Sequence, residues 1–424
     1  MKPQFILYEV QTGVIRAVSR DGKSRVVFGK LGENYSTISV ISSSPIEPGK
    51  WIVQDGKLVR KPVYLVPPKK QVEGQKVAVV AEGAGSSLGF GNQAVALGES
   101  LKERGFSVEY HSPSTTSREY QWDVDWIVSL GELQQVLRLL DQKLTNWVHW
   151  LPLTTKSISE EFWIRLQGVP SVVAMSRFGY DQIKQHYPPE KLFYIPHSVD
   201  TRFFKPLVKG SREKVRENYP DLEKSYVVLF VGTNTFRKDI PSLLKAFQLA
   251  VKIIGSDDIK LVMKTSVDGS SCKILEQVKD LDIEKRILVI QDRVELQRLV
   301  AIYGMSDVYA TAAMAEGFGI PLLEALACGI PVIAGDHTTS PEIVGDAGTL
   351  VSCRKAQFNL YDYKVEWYPV EVDKFADAIV QHYRLWKSGY KLDRTWIRNK
   401  VLTQYSREVV VGRWEDLLSN LMGS

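Results

Sequence analysis

From Lys76 onward the chain alternates between short unbroken apolar runs and longer stretches of helical periodicity. Val77–Ala81, Phe106–Tyr110, Trp126–Ser129, Asn146–Leu151 and Ser171–Met175 are such runs. Strands buried on both faces read this way, so these are candidate parallel strands. Between them Asn92–Arg104 reads as an amphipathic helix stopped by Gly105, Glu132–Leu144 as a second, and Ser176 caps a helix reaching His186. The alternation restarts with a helix at Ser211–Asn218. Strands at Tyr226–Val231, Lys260–Lys264, Ile287–Ile290 and Val308–Ala310 follow, with helices at Ser242–Ile254, before Gly304 and from Val372 to about Ser388. Two such series predict two α/β domains. Residues 1–73 differ. Phe5–Val10, Val14–Val18, Ser24–Phe28, Thr37–Ile41 and Trp51–Val53 are short β-rich runs separated by turn pairs such as Asp21-Gly22 and Asp55-Gly56. The predicted layout is a β-rich module over 1–73, a first α/β domain over 74–205, a second over 206–395, and terminal helices over 396–424.

The second domain contains the stretch with the most chemistry, Ala315 to Gly335. An acidic glycine turn, Glu316-Gly317-Phe318-Gly319, enters a helix predicted over Pro321–Cys328, which leaves at Gly329 for a strand at Pro331–Ala334. Proline fits a first helical turn and glycine fits the left-handed residue after a helix. Free N–H groups and the dipole at such a helix start favour an anion, phosphate above all. Glu324 lies within an otherwise apolar helix, where a carboxylate needs partners. Upstream, Arg237-Lys238 follows the strand Tyr226–Val231; cations at a helix start run against the dipole and point to phosphate oxygens. Lys264 stands at a strand end, the side where open α/β sheets bind ligands.

The run E-G-F-G-I-P-L-L-E-A-L-A-C-G-I-P-V-I-A resembles the signature of retaining glycosyltransferases of the GT-B fold, family four, and the resemblance covers roughly residues 76–424. It implies two Rossmann-like domains facing a cleft, with the β-rich module outside the resemblance, and terminal helices crossing back to the first domain. It implies transfer of a sugar from a UDP- or GDP-sugar to an acceptor hydroxyl, with retention, without metal and with no cofactor beyond the nucleotide sugar. On that basis Glu316, Lys238 and His149 are the catalytic candidates. Arg237, Lys238, Lys264, Arg293, Val294, Gly317, Phe318, Gly319, Ile320, Leu322 and Glu324 are the donor-binding candidates, with Gly89 or Gly91 across the cleft from the phosphates. Within this group the N–H groups of Gly319, Ile320 and Leu322 are expected to hold the leaving diphosphate, Glu316 the sugar hydroxyls and Glu324 the ribose. The family carries an arginine where this chain has Thr233, and a glycine where it has Ser198. For His149 the competing expectation is a packed, hydrogen-bonded side chain.

Composition narrows the rest. Net charge is +5, with 54 basic and 49 acidic residues and no dominating basic block, which argues against nucleic acid as a partner. Three scattered cysteines (Cys272, Cys328, Cys353) lack metal spacing and suit a reducing compartment. No signal-peptide core or transmembrane run is apparent, so a cytoplasmic location is expected, with peripheral contact through Lys57, Arg60, Lys61, Lys69 and Lys70 left open. The aromatic run Phe358, Tyr361, Tyr363, Trp367, Tyr368 departs from the family pattern; it reads as surface packing or a cleft-lining insertion. The acceptor stays a glycan, lipid or protein, and the sequence selects neither sugar, base nor oligomeric state. Rival readings are a nucleotide-sugar epimerase or sugar phosphorylase of the same fold, or a non-catalytic sugar-nucleotide binding module.

Overall fold

The computed structural model describes residues 74–83, 89–114, 116–117, 119–208, 210–291, 294–360, 363–390 and 392–422, with strand segments 4–9, 15–19, 35–40, 51–54 and 57–60. The chain divides into two compact units, Met1–Pro68 and Lys69–Ser424. In the first, β1 (Gln4–Glu9) pairs antiparallel with β2 (Ile15–Ser19) and β3 (Tyr35–Val40). Strand β4 (Trp51–Gln54) pairs with β5 (Lys57–Arg60). The expected strand Ser24–Phe28 lies outside the described residues.

The second unit holds two six-stranded sheets, both parallel throughout. The first contains β6 (Lys76–Ala81), β7 (Ser107–His111), β8 (Trp126–Leu130), β9 (Trp147–Leu151), β10 (Ser171–Ala174) and β11 (Leu192–Tyr194), in the order β11-β10-β9-β8-β6-β7. Its helices are α1 (Gly89–Glu103), α2 (Leu137–Asp141), α3 (Glu160–Leu166) and α4 (Arg177–Ile183). Helix α1 starts earlier than its periodicity suggests, so Gly89 and Gly91 belong to its first turn and not to a loop. The helix expected over Glu132–Leu144 is a 3-10 turn, Leu133–Val136, followed by the short α2. A capping box between Glu132 and Gln135 tightens its start.

The second sheet contains β12 (Tyr226–Val231), β13 (Ile259–Lys264), β14 (Ile287–Ile290), β15 (Val308–Thr311), β16 (Val332–Gly335) and β17 (Gly348–Val351), in the order β14-β13-β12-β15-β16-β17. Its helices are α5 (Ser211–Glu217), α6 (Ile240–Ile254), α7 (Ile274–Asp280), α8 (Leu296–Gly304), α9 (Ile320–Ala327), α10 (Ser340–Val344) and α11 (Val372–Lys387). The strand order reverses between β12 and β15. In open parallel sheets, loops leaving the carboxyl ends of the two strands at such a reversal part to opposite faces and leave a crevice for a ligand. A hairpin, β18 (Ala356–Leu360) with β19 (Tyr363–Trp367), follows the sheet.

Two terminal helices, α12 (Arg394–Gln404) and α13 (Arg407–Met422), close the chain. Trp414 of α13 is fully buried, its ring 5.2 Å from that of Trp150 on β9. Burying an indole removes about 150–250 Å² from water, worth roughly 4–6 kcal/mol before entropy. Arg104, at the end of α1, meets Glu415 at 2.7 Å, and both are buried. The last helix thus completes the core beneath the first sheet. Among the described residues no helix is long and apolar enough to cross a membrane.

Candidate active site at the strand reversal of the second sheet

The loops after β12 and β15 converge at the reversal. After β12 the chain makes a 3-10 turn, Phe236–Lys238, and enters α6 through Asp239, which sits in the left-handed region at φ 44° and caps Ser242. That turn directs Arg237 and Lys238 toward the loop after β15. The backbones are tied as well: the Met314 N–H donates to the Arg237 carbonyl at 2.8 Å. Lys238 Nζ lies 2.5 Å from Glu316 Oε1 and Arg237 Nη1 2.8 Å from Glu316 Oε2; Arg237 also donates to the Ala315 carbonyl. Lys238 and Glu316 are both buried, each 6% exposed. Burial alone would raise the Glu316 carboxyl, but the two cations and their hydrogen bonds outweigh it and hold it at about 2. Burial also draws the Lys238 ammonium below the usual lysine range, against the pull of Glu316.

Beyond Glu316 the backbone turns through Gly319, at φ 99°, into α9. The α9 helix begins at Ile320, one residue before the expected Pro321, and Gly329 follows it in the left-handed region at φ 70°. Among the described residues, the amides of Gly317, Phe318, Gly319 and Ile320 have no acceptor. Phe318 and Gly319 are buried, where unpaired backbone N–H groups are rare and costly. Successive free amides in one turn form an anion-binding concavity. The Leu322 amide is not part of it: the first turn is tight, and Leu322 donates to the Gly319 carbonyl at 3.0 Å. The turn after β16 fixes the concavity from behind. Thr338 Oγ1 accepts from the Glu316 N–H at 3.1 Å, and Thr339 Oγ1 donates to the Phe318 carbonyl at 2.7 Å. Thr338 holds φ 43°, a strained conformation for a β-branched residue, maintained by its surroundings.

Glu324, one turn into α9, has a different environment. It is half-buried, no cation among the described residues contacts it, and burial pushes its carboxyl up to about 7. Its described partner is the Tyr303 hydroxyl of α8, which donates to Oε2 at 2.6 Å.

The remaining candidates fall as follows. Lys264 ends β13, half-buried, level with Val231 in the register. Val294 packs on the core before α8, while Arg293 lies outside the described residues. His149 takes the packed, hydrogen-bonded place that was its competing expectation. It lies within β9, a strand covered on both faces, and is fully buried (0% exposed). Its Nδ1 meets the Ser129 hydroxyl at 2.8 Å and its Nε2 has no partner among the described residues. Burial drives its pKa down to about 3, so it stays neutral and is no charge switch at neutral pH. Among the first-domain residues that reach the glycine turn are Pro152 and Thr154, just past β9, and His197, whose ring lies 5.3 Å from that of Phe318. A Cβ placed on Gly317 would lie 3.1 Å from the Pro152 Cβ and 3.7 Å from the Thr154 methyl.

Sequence reading missed the hairpin. Of its aromatic residues, Trp367 is buried with Met314 and Ala315, and Phe236 and Phe358 pack beside it, while Tyr361 lies outside the described residues. Thr155 Oγ1 donates to the Glu366 carbonyl at 3.1 Å, joining the hairpin to the first domain. The sequence between β18 and β19 is Tyr361-Asp362, without the glycine that signals a hairpin. Among the described residues, no group of three metal-ligating side chains is assembled.

Comparison with known proteins bears on the fold and on the second domain. Residues 211–358 match the family described as glycosyl transferases group 1. Over 183 residues the chain is 30% identical to N-acetyl-alpha-D-glucosaminyl L-malate synthase of Bacillus anthracis, covering 42% of this chain and 45% of that protein. Over 185 residues it is 32% identical to O-antigen chain mannosyltransferase B of Escherichia coli, covering 43% and 48%. The chain thus spans about half the length of the curated relatives it matches. A glycosyltransferase from Rickettsia africae superposes with a TM-score of 0.66 at 17% identity, over 83% of this chain and 99% of that one. Sucrose-phosphate synthase from Thermosynechococcus elongatus superposes with a TM-score of 0.62 at 16% identity, over 82% and 99%. Two parallel-sheet, Rossmann-like domains form a GT-B architecture, and within it residues 211–358, which carry the cation pair and the free-amide turn, match the glycosyl transferases of group 1.

Proposed function

We propose that the chain transfers a sugar from a nucleotide diphosphate sugar to an acceptor hydroxyl, with retention of anomeric configuration. The observation that carries this reading is the set of unpaired amides at Gly317–Ile320 beside Arg237 and Lys238. Bond cleavage at the anomeric carbon leaves a diphosphate carrying extra negative charge. Fixed donors aimed at that charge lower the barrier, each typically worth on the order of 3 kcal/mol. Glu316 occupies both cations in the free protein. An arriving diphosphate takes over Arg237 and Lys238, so no cation is left unpaired, and Glu316 is freed to accept hydroxyls of the sugar. Glu324 accepts hydroxyls of the ribose. The acceptor approaches from the first domain, past Pro152 and Thr154. The charge on the leaving group is met by side chains and amides, so the scheme assigns no step to a metal.

Thr233 favours the rival reading, a non-catalytic binding module, because it is exposed where the family carries an arginine. One experiment separates the two. UDP-glucose, UDP-N-acetylglucosamine and GDP-mannose are screened by thermal shift and then by hydrolysis and transfer assays. A stabilising donor that also turns over supports transfer. A donor that binds and never reacts with any acceptor supports the module. Absence of any shift across the panel argues against a nucleotide-sugar site.

A further inference from the structure

Glu316 and Glu324 stand on one continuous turn and helix, yet they are held in opposite ways. Both oxygens of Glu316 are engaged by cations. Glu324 has one engaged oxygen, and its partner is a neutral phenol. Tyr303 is fully buried between Phe204 and Tyr309, with ring centroids at 6.0 and 6.3 Å, so its hydroxyl has little freedom of direction. A 2.6 Å bond to Oε2 fixes the plane of the carboxylate, and Oε1 is left with no partner among the described residues. A half-buried carboxylate with one oxygen fixed and one open is arranged to receive hydroxyl donors from a ligand.

We propose that Tyr303 is a positioning residue that orients Glu324 so that its carboxylate accepts the vicinal hydroxyls of the ligand's ribose. This rests on the donor site proposed above and adds to it the residue that sets the geometry of the nucleoside subsite. Among the described residues the groups around Glu324 are few. Tyr303 comes from α8, Tyr309 from β15, where its hydroxyl donates to the Val231 carbonyl at 3.1 Å, and Cys328 from the end of α9. Arg394 and Arg398 of α12 act on Cys328; Arg398 donates to the Ala327 carbonyl and Arg394 to that of Ser306, away from Glu324. With no cation among the described residues to hold it ionised, burial pushes the carboxyl up to about 7. The ionised form accepts from two hydroxyls and the protonated form loses one acceptor site, so ligand affinity rises with pH through neutrality. The Tyr303 bond favours the ionised form, so removing it shifts that midpoint upward.

The test is calorimetry of UDP-glucose, UDP-N-acetylglucosamine and GDP-mannose, which exchange no phosphate proton near neutral pH, between about pH 6 and 8.5. Wild type, Tyr303→Phe and Glu324→Gln are compared. Wild type should bind more tightly as pH rises. Tyr303→Phe should bind about tenfold more weakly at pH 7, the scale of a lost hydrogen bond to a charged group, with its midpoint moved to higher pH. Glu324→Gln should lose the pH dependence. A 2′-deoxyribose analogue should show little pH dependence on the wild type. If Tyr303→Phe keeps the wild-type affinity and midpoint, the positioning role is wrong while the donor site stands. If Tyr303→Phe does not fold, Glu324→Gln decides: retained pH dependence overturns the inference. If wild type binds none of the three donors, the site assignment fails and this inference fails with it.

Discussion

The two sheets of the second unit have the same number of strands, the same parallel pairing and a reversal each, yet they use their polar residues differently. In the first, polar side chains in the strands are absorbed into the structure. Ser129 and His149 are both fully buried and bonded to each other, and Ser129 also accepts from the Trp147 indole at 2.7 Å. In the second, polar groups collect beyond the strand ends, and several are left unpaired or in strained conformations: the amides of Gly317–Ile320, Asp239 and Thr338. The architecture provides a crevice at a reversal in either sheet. What marks one of them as the candidate site is the concentration, among the described residues, of unpaired donors and of charges balanced by one another.

The largest effect that would break this comparison is at Lys238. Lys238→Ala removes one of two cations from the crevice and leaves Glu316 buried with Arg237 alone. Steady-state kinetics with the active donor should show kcat/KM lower by about 100-fold or more, since one lost donor to the leaving group costs on the order of 3 kcal/mol. Near-wild-type turnover would move the chemistry elsewhere. The same cluster predicts an acid limit. The folded-state carboxyl of Glu316 lies at about 2 against an ordinary 4.5, so its contribution is complete above pH 4.5 and is lost as pH falls toward 2. At about 1.4 kcal/mol per unit the ceiling is roughly 3 kcal/mol, reduced by the cost of burying Lys238. Denaturant melts of wild type and Glu316→Gln between pH 3 and 6 should converge as pH falls. Parallel curves would mean the triad contributes no pH-linked stability.

How far this contrast could be read from sequence depends on what carries each feature. Strands such as Tyr226–Val231 and Ile287–Ile290 are legible because a parallel strand covered by helices is apolar on both faces, a local signal. The acidic glycine turn, its proline and its closing glycine are legible for the same reason: each residue type answers a local backbone need. The Glu324–Tyr303 bond is not legible, because it joins two helices through a tertiary contact with no periodic trace. The loss of the Leu322 amide comes from a first turn tighter than an ideal helix, which side-chain identity does not encode. His149 misled because adjacency to a strand end says nothing about which face a residue takes. Once β9 is flanked by β8 and β10 and covered on both sides, a residue two positions before its end is interior.

A smaller, constructive effect is expected at Thr233. It is exposed just after Gly232 at the end of β12, and Gly232 itself lies close to the Lys238 side chain, with a Cβ placed on it 3.7 Å from Lys238 Cε. Thr233→Arg would add a cation at the mouth of the crevice without displacing a buried group. Donor affinity should rise by up to about tenfold, the scale of one charge-assisted hydrogen bond, with a steeper salt dependence than wild type. Unchanged affinity at low salt would show that Arg237 already fills that role.

The smallest effect should be at His149, and there the comparison can be sharpened by a null result in the assay. His149→Leu replaces a neutral buried ring by an apolar side chain of similar bulk. It removes the bond to Ser129, which still accepts from Trp147, and it removes the unpaired Nε2. A lost neutral hydrogen bond costs about 1 kcal/mol and the removal of an unpaired buried polar atom returns a similar amount, so the melting temperature should move little. Because His149 stays neutral and interior, kcat and its pH profile should match wild type. A tenfold loss of kcat at an unchanged melting temperature would mean that the ring reaches the cleft in the working enzyme. The first sheet would then contribute a polar group to catalysis, and the division of labour between the two reversals would have to be redrawn.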